Sequence, residues 1–195
     1  MKEEMNTYLA FFVVFLALVA SASLVLSSFV DNSVAVTNNF YAKHSMKITS
    51  EAFVSRGEIP ALYTCDGENV LPPLSVAGIP DGAETLAIIV TDPDAMNGEW
   101  VHWVRFNIPI DTKEFSMNEG EAPSGISGMG SGNNLKYEGP CPPNGEHRYV
   151  FSVYALNASL SLDSGATKAD VLKEMKGKLL DQSALVGVYG ANRKK

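Results

Sequence analysis

From Trp100 to Ile108 the chain reads WVHWVRFNI, and from His147 to Leu156 it reads HRYVFSVYAL. Both stretches are dense in aromatic and β-branched residues and alternate with period two, the signature of a strand with two unlike faces. The stretch Thr85–Thr91, TLAIIVT, is nearly continuously apolar, as a central strand is. A further strand is read at Ala184–Gly190, ALVGVYG. Turn-rich segments such as DGENVLPPL, GIPDGAE and GISGMGSGNN separate these runs. Helical spacing stands out late in the chain. Thr167 can cap a helix with Asp170 in a capping-box arrangement, and Val171, Leu172, Met175 and Leu179 form its apolar stripe. Short strands with Gly/Pro turns and few helices point to a β-sandwich, dominated by β structure, with one or two short helices near the C-terminus.

The 195 residues are 46% hydrophobic and 19% charged, so a packed core is expected and bulk disorder is not. The net charge is −7, and no basic stripe is present of the kind that nucleic-acid binding requires. Residues 1–7 are a short polar start. Residues 8–30, YLAFFVVFLALVASASLVLSSFV, carry no charge and read as an N-terminal hydrophobic helix. A transmembrane anchor needs about 20 such residues. The alternative is a signal segment cleaved near Ala20-Ser21-Ala22, but the apolar run continues past that site. A count of flanking charges leans toward the domain staying inside, whereas an N-terminal anchor generally leads an exported domain. The expectation taken is a membrane-anchored or exported, extracytoplasmic domain. Residues 31–45 read as a linker and 46–195 as the globular domain. Cys65 and Cys141 are far apart and outside any C-x-x-C, so a metal knuckle is not indicated. They are either a disulfide, which export permits, or two free thiols.

Strand parity places Trp100, His102, Val104, Phe106 and Ile108 on one face, and Val101, Trp103, Arg105 and Asn107 on the other. Likewise His147, Tyr149, Phe151, Val153 and Ala155 share a face, with Arg148 opposite. Both strands thus begin with a histidine on an apolar face. Asp92 and Asp94 follow the central strand and share parity, so both carboxylates are expected to face the same place. Three chemistries suit this cluster. The histidines and an aspartate can ligate a metal, although no H-x-H or H-E-x-x-H spacing occurs. They can do acid–base work in a hydrolase, although no G-x-S-x-G elbow supplies a nucleophile. Or aspartates orient imidazoles that, with the Tyr149 hydroxyl and turn amides, hold an anion. The plain alternative is a set of satisfied polar groups at a core edge. The loop Tyr137–His147, YEGPCPPNGEH, has a backbone restricted by proline and delivers His147.

The pieces TCDGENVLPPL, TDPDA, EWVHWVRFNIP, GPCPPNGEHRYVFSVYAL and GVYG occur in the order seen in the phosphatidylethanolamine-binding protein, or Raf kinase inhibitor-like, family. Together they resemble its bacterial and archaeal branch. Met96 after TDPDA and the short MNGE loop differ from the eukaryotic relatives. The resemblance implies an antiparallel β-sandwich with a small anion pocket at one end, lined by Asp92, Asp94, Trp100, His102, Pro143, His147 and Tyr149. It implies a cis peptide near the D-P-D loop, before Glu99. It further implies a non-enzymatic binding protein without a cofactor, taking phosphate or a phospholipid head group and regulating a kinase or protease. The alternative is a hydrolase using the Asp/His cluster, with or without a metal.

Overall fold

A computed structural model describes residues 46–191. The expected anchor or signal segment and the linker therefore lie outside the described residues. No helix among the described residues is long and apolar enough to cross a membrane.

Eight strands form two sheets. Strands β1 (Lys47–Thr49), β2 (Leu74–Ala77) and β5 (Glu114–Met117) make a three-stranded sheet in the order β1-β2-β5. Strands β3 (Thr85–Asp92), β4 (Trp100–Pro109), β6 (Ile126–Ser127), β7 (Glu146–Leu156) and β8 (Leu179–Gly190) make a five-stranded sheet in the order β6-β4-β3-β7-β8. All pairings between these strands are antiparallel. The expected sandwich is thus present.

All eight positions of β3 are buried, which explains its unbroken apolar sequence. Leu86, Ile88 and Val90 face a core shared with Ile48, Leu74 and Val76 of the small sheet. Ala87 and Ile89 face a second core with Val104, Phe106, Leu160, Val171 and Met175. The second core lies under the one α-helix among the described residues, α1 (Lys168–Glu174). The order of layers is small sheet, large sheet, helix.

The helix begins as the sequence reading expects. Thr167 Oγ1 accepts from the Asp170 amide at 3.2 Å, and Asp170 Oδ2 accepts from the Thr167 amide at 3.0 Å. It ends sooner than its apolar stripe suggests. Gly177 turns the chain at φ 80°, and Leu179 belongs to β8, where it is 44% exposed. The last strand starts at Leu179, not Ala184, because β7 pairs with it along its length.

Parity also fails along β4, for a specific reason. The partners run Val90↔Trp103 and then Thr91↔Val101, leaving His102 as the extra residue of a bulge. Further along, Leu86 pairs with Ile108 and Ile88 with Arg105, so Phe106 and Asn107 together oppose Ala87. Asn107 takes φ 53° there and exchanges hydrogen bonds of 2.9 and 2.8 Å with the Leu160 carbonyl and amide. The face expected to be shared from Trp100 to Ile108 is therefore split. Trp103 and Ile108 enter the inter-sheet core, whereas Val104 and Phe106 enter the helix-side core. On β7, which has no such break before Leu156, His147 to Ala155 stay on the inter-sheet side as expected.

Cys65 and Cys141 form a disulfide, with Cα atoms 5.4 Å apart across 76 positions of sequence. It joins the segment after the 3-10 turn Ala61–Tyr63 to the proline-rich loop before β7. Replacing both cysteines by alanine is expected to lower the unfolding free energy by about 2–4 kcal/mol, because the bond restricts a long loop in the unfolded chain. Thr167→Ala is expected to cost about 1 kcal/mol through loss of the cap. Urea unfolding followed by tryptophan fluorescence measures both.

Candidate functional site

Three strands deliver their ends to one place: β3 ends at Asp92, β4 starts at Trp100, and β7 starts at Glu146. The cavity there holds about 720 Å³ and is lined by Asp92, Trp100, His102, Pro143, His147 and Tyr149, among others. Six of the seven residues implied by the family resemblance thus come together.

Asp94 is the exception. Its carboxylate does not join Asp92 in the cavity wall but turns to Arg148. It accepts from the Arg148 amide at 2.9 Å, from Nε at 2.9 Å and from Nη2 at 2.7 Å. This charged fork holds the Asp94 carboxyl down at about 2. The physical reason is the turn itself. The Asp94 amide donates to Asp92 Oδ1 at 2.8 Å, so the two side chains close a tight turn and diverge. Asp94 acts on the site indirectly, by fixing the backbone beside His147.

Asp92 and His147 are a buried pair. His147 Nδ1 lies 2.7 Å from Asp92 Oδ2, and a carboxylate only accepts, so Nδ1 carries the proton. His102 is held in the same way by a different group. Its Nδ1 lies 2.7 Å from the main-chain carbonyl of Glu138, which again fixes the proton on Nδ1. The Glu138 amide donates back to the His102 carbonyl at 3.1 Å. Burial pushes the His102 imidazole below its ordinary pKa, so it is neutral at pH 7, against smaller opposing effects of Glu138 and Asp92. The rings of His102 and Tyr149 meet edge to face, centroids 5.2 Å apart. Burial, with Asp92 nearby, raises the Tyr149 hydroxyl above its ordinary pKa, so it keeps its proton. His102 Nε2 and the Tyr149 hydroxyl are both buried and make no well-formed hydrogen bond to a protein group among the described residues, although the Cys141 amide acts on the Tyr149 oxygen and partly offsets the effect of burial.

The wall opposite the strands is the proline-rich loop, and it is tied down. The Cys65 amide donates to the Pro140 carbonyl at 3.1 Å, the Gly139 amide to Asn69 Oδ1 at 2.7 Å, and the Tyr137 hydroxyl to the Tyr63 carbonyl at 3.1 Å. A Cβ on Gly139 would stand 2.3 Å from the Tyr63 carbonyl oxygen, so only glycine permits this approach. The loop's grip on His102 was not visible in the sequence, because it uses the carbonyl of Glu138, and a carbonyl has no sequence signal. The wall also includes both cysteines and Ser131, whose hydroxyl accepts from the Val101 amide at 2.9 Å.

The rim differs from the floor. Met96 is 72% and Trp100 42% exposed beside the opening. Glu99 pairs with Lys168 at the start of α1, tying the rim loop to the helix. Among the described residues, no lysine or arginine lines the cavity. No cis peptide occurs among the described residues, so the one expected before Glu99 is absent. Among the described residues, no three of His, Cys, Asp and Glu are grouped so as to hold a metal ion.

Comparisons with known proteins agree with this architecture. A family model described as phosphatidylethanolamine-binding protein matches residues 49–190. A UPF0098 protein of Methanothermobacter thermautotrophicus is 48% identical over 148 residues, covering 74% of this chain and 98% of its own length. One of Aquifex aeolicus is 40% identical, covering 74% and 88%. Among solved structures, a phosphatidylethanolamine-binding protein homologue of Chlamydia trachomatis superposes with TM-score 0.72 at 34% identity, covering 76% of this chain and 99% of that one. Escherichia coli YbcL, described as a member of the mammalian family, gives 0.69 at 26% identity, covering 75% and 99%. With this fold, this strand-end cavity and these relatives, the chain belongs to the phosphatidylethanolamine-binding protein family, in its bacterial and archaeal branch.

Proposed function

We propose that this protein is a non-enzymatic binding protein whose strand-end cavity takes a phosphate-type group, from a phospholipid head group or another phosphorylated ligand. Family membership supports a binding protein in general terms. The observation that carries the finer reading is the pair of buried, unpartnered polar atoms, His102 Nε2 and Tyr149 Oη. Leaving such atoms unsatisfied costs about 1–3 kcal/mol each, a cost that folding alone does not recover and a polar ligand does. Asp92, the Glu138 carbonyl and, at one remove, Asp94 then serve as orienters rather than as ligands. Trp100 and Pro143 shape the opening, with exposed Met96 beside them. A kinase or protease partner would meet this rim. Residues 8–30 would hold the domain at a membrane, outside the cytoplasm, and the Cys65–Cys141 disulfide is in keeping with an oxidising compartment.

Titrating the domain with phosphate or phosphoethanolamine is expected to move the imidazole NMR signals of His102 and His147. Unchanged signals at millimolar ligand would sink the reading, and release of inorganic phosphate from a phosphoester panel would favour the hydrolase instead. Tyr149→Phe should separate binding from folding. It removes a buried hydroxyl whose proton has no protein acceptor, so unfolding free energy should change little, while phosphate affinity falls about three- to tenfold, the worth of one neutral hydrogen bond.

A further inference from the structure

The two unpartnered atoms at the cavity floor do not offer the same thing. Tyr149 has a hydroxyl that can donate or accept. His102 donates its Nδ1 proton to the Glu138 carbonyl, and with burial favouring the neutral ring, Nε2 is left with a lone pair. A bare lone pair repels an anion's oxygen unless a proton lies between them. Resting on the anion-pocket reading, we propose that the cavity selects a phosphate monoester in its monoanionic, P–O–H-bearing form, and that His102 determines this specificity by accepting the ligand's proton at Nε2.

The groups around Nε2 all bear on this. From β3, Asp92 brings a buried carboxylate engaged by His147. From β7, His147 and Tyr149 face the same space. From the proline-rich loop comes Glu138, whose carbonyl holds Nδ1 and whose carboxylate accepts from Asn134. At the rim Glu99 is paired with Lys168. Arg148 is spent on Asp94 outside the lining, and among the described residues no lysine or arginine lines the cavity. The described lining thus supplies no lysine or arginine with which to hold a dianion, and it has carboxylates that oppose one. Burial keeps His102 itself from supplying the missing charge. A monoester monoanion meets every condition: one charge, one acidic hydrogen for Nε2, and oxygens for Tyr149. A phosphodiester has no P–O–H, and sulfate has lost its proton at neutral pH. The volume of about 720 Å³ leaves space for the organic part of a monoester beside Trp100.

The proton sets the pH dependence. Whether it rests nearer the ligand oxygen or Nε2, the complex holds one proton more than neutral His102 plus dianion. Above the ligand's second pKa, near 6 for a phosphate monoester, affinity should therefore fall about tenfold per pH unit.

Calorimetry with methyl phosphate, dimethyl phosphate and sulfate tests the inference, using the full-length wild-type protein, His102→Gln and His147→Gln. At pH 6 methyl phosphate should bind at least about tenfold more tightly than either other anion, the difference one hydrogen bond to a charged group makes. The gap should shrink below about threefold in His102→Gln, whose amide can donate as well as accept, and survive in His147→Gln. Equal binding of the three anions by the wild type overturns the inference but leaves the pocket reading intact. So does a gap that persists in His102→Gln, or one lost in His147→Gln as well. Failure to bind any of them overturns both. A readout independent of the variants is the ¹⁵N–¹H spectrum of the wild-type imidazoles at pH 7. His102 should show a protonated Nδ1 and a bare Nε2, and a protonated Nε2 overturns the proposal.

Discussion

A strand buried on both faces has to be covered twice, and β3 sets this demand for the whole domain. One face is met by the small sheet, the other by α1 and the segment that leads to it. Neither layer alone would suffice, because each face carries Leu, Ile, Val or Ala side chains that would otherwise meet water. Central placement also means that β3 has neighbours on both edges, β4 and β7. The residue at its end, Asp92, therefore emerges between the first residues of those two strands. The cavity is a consequence of where a doubly covered strand stops.

What fixes the cavity's geometry is that both imidazoles are held from behind. His147 leans on a carboxylate and His102 on a carbonyl, each through Nδ1. The proline-rich loop supplies the second support, and the disulfide, the Asn69 side chain and the Tyr137 hydroxyl anchor that loop in turn. The polar floor is thus built from oriented groups whose outward atoms remain unmet, an arrangement typical of sites and rare in cores.

The sequence made much of this legible. Period two exposed the long strands β4 and β7 but not the short β1, β2, β5 and β6, the Thr167–Asp170 spacing exposed the cap, and the parity of β7 correctly aligned His147 with Tyr149. The family resemblance supplied the grouping of six cavity residues. What it hid follows from long-range contacts. The bulge at Asn107 depends on a bond to Leu160, 53 positions away, and no local pattern encodes that. Asp94 has the same parity as Asp92, yet the amide bond between them turns its side chain toward Arg148. The helix stripe ran on to Leu179 because periodicity cannot tell the last turn of a helix from the first residue of the strand that follows it.

The two bulges of β4 give that strand an unusual division of labour. Its first residues belong to the cavity, its middle to the helix-side core, and its end returns to the inter-sheet core. Neighbouring residues thus answer to different constraints. Val104 and Phe106 pack with Val171 and Met175 on the helix side, whereas His102, the extra residue of the first bulge, is held on the cavity side by the Glu138 carbonyl. A lineage can therefore rebuild one side of this sheet while the geometry of the cavity is inherited unchanged.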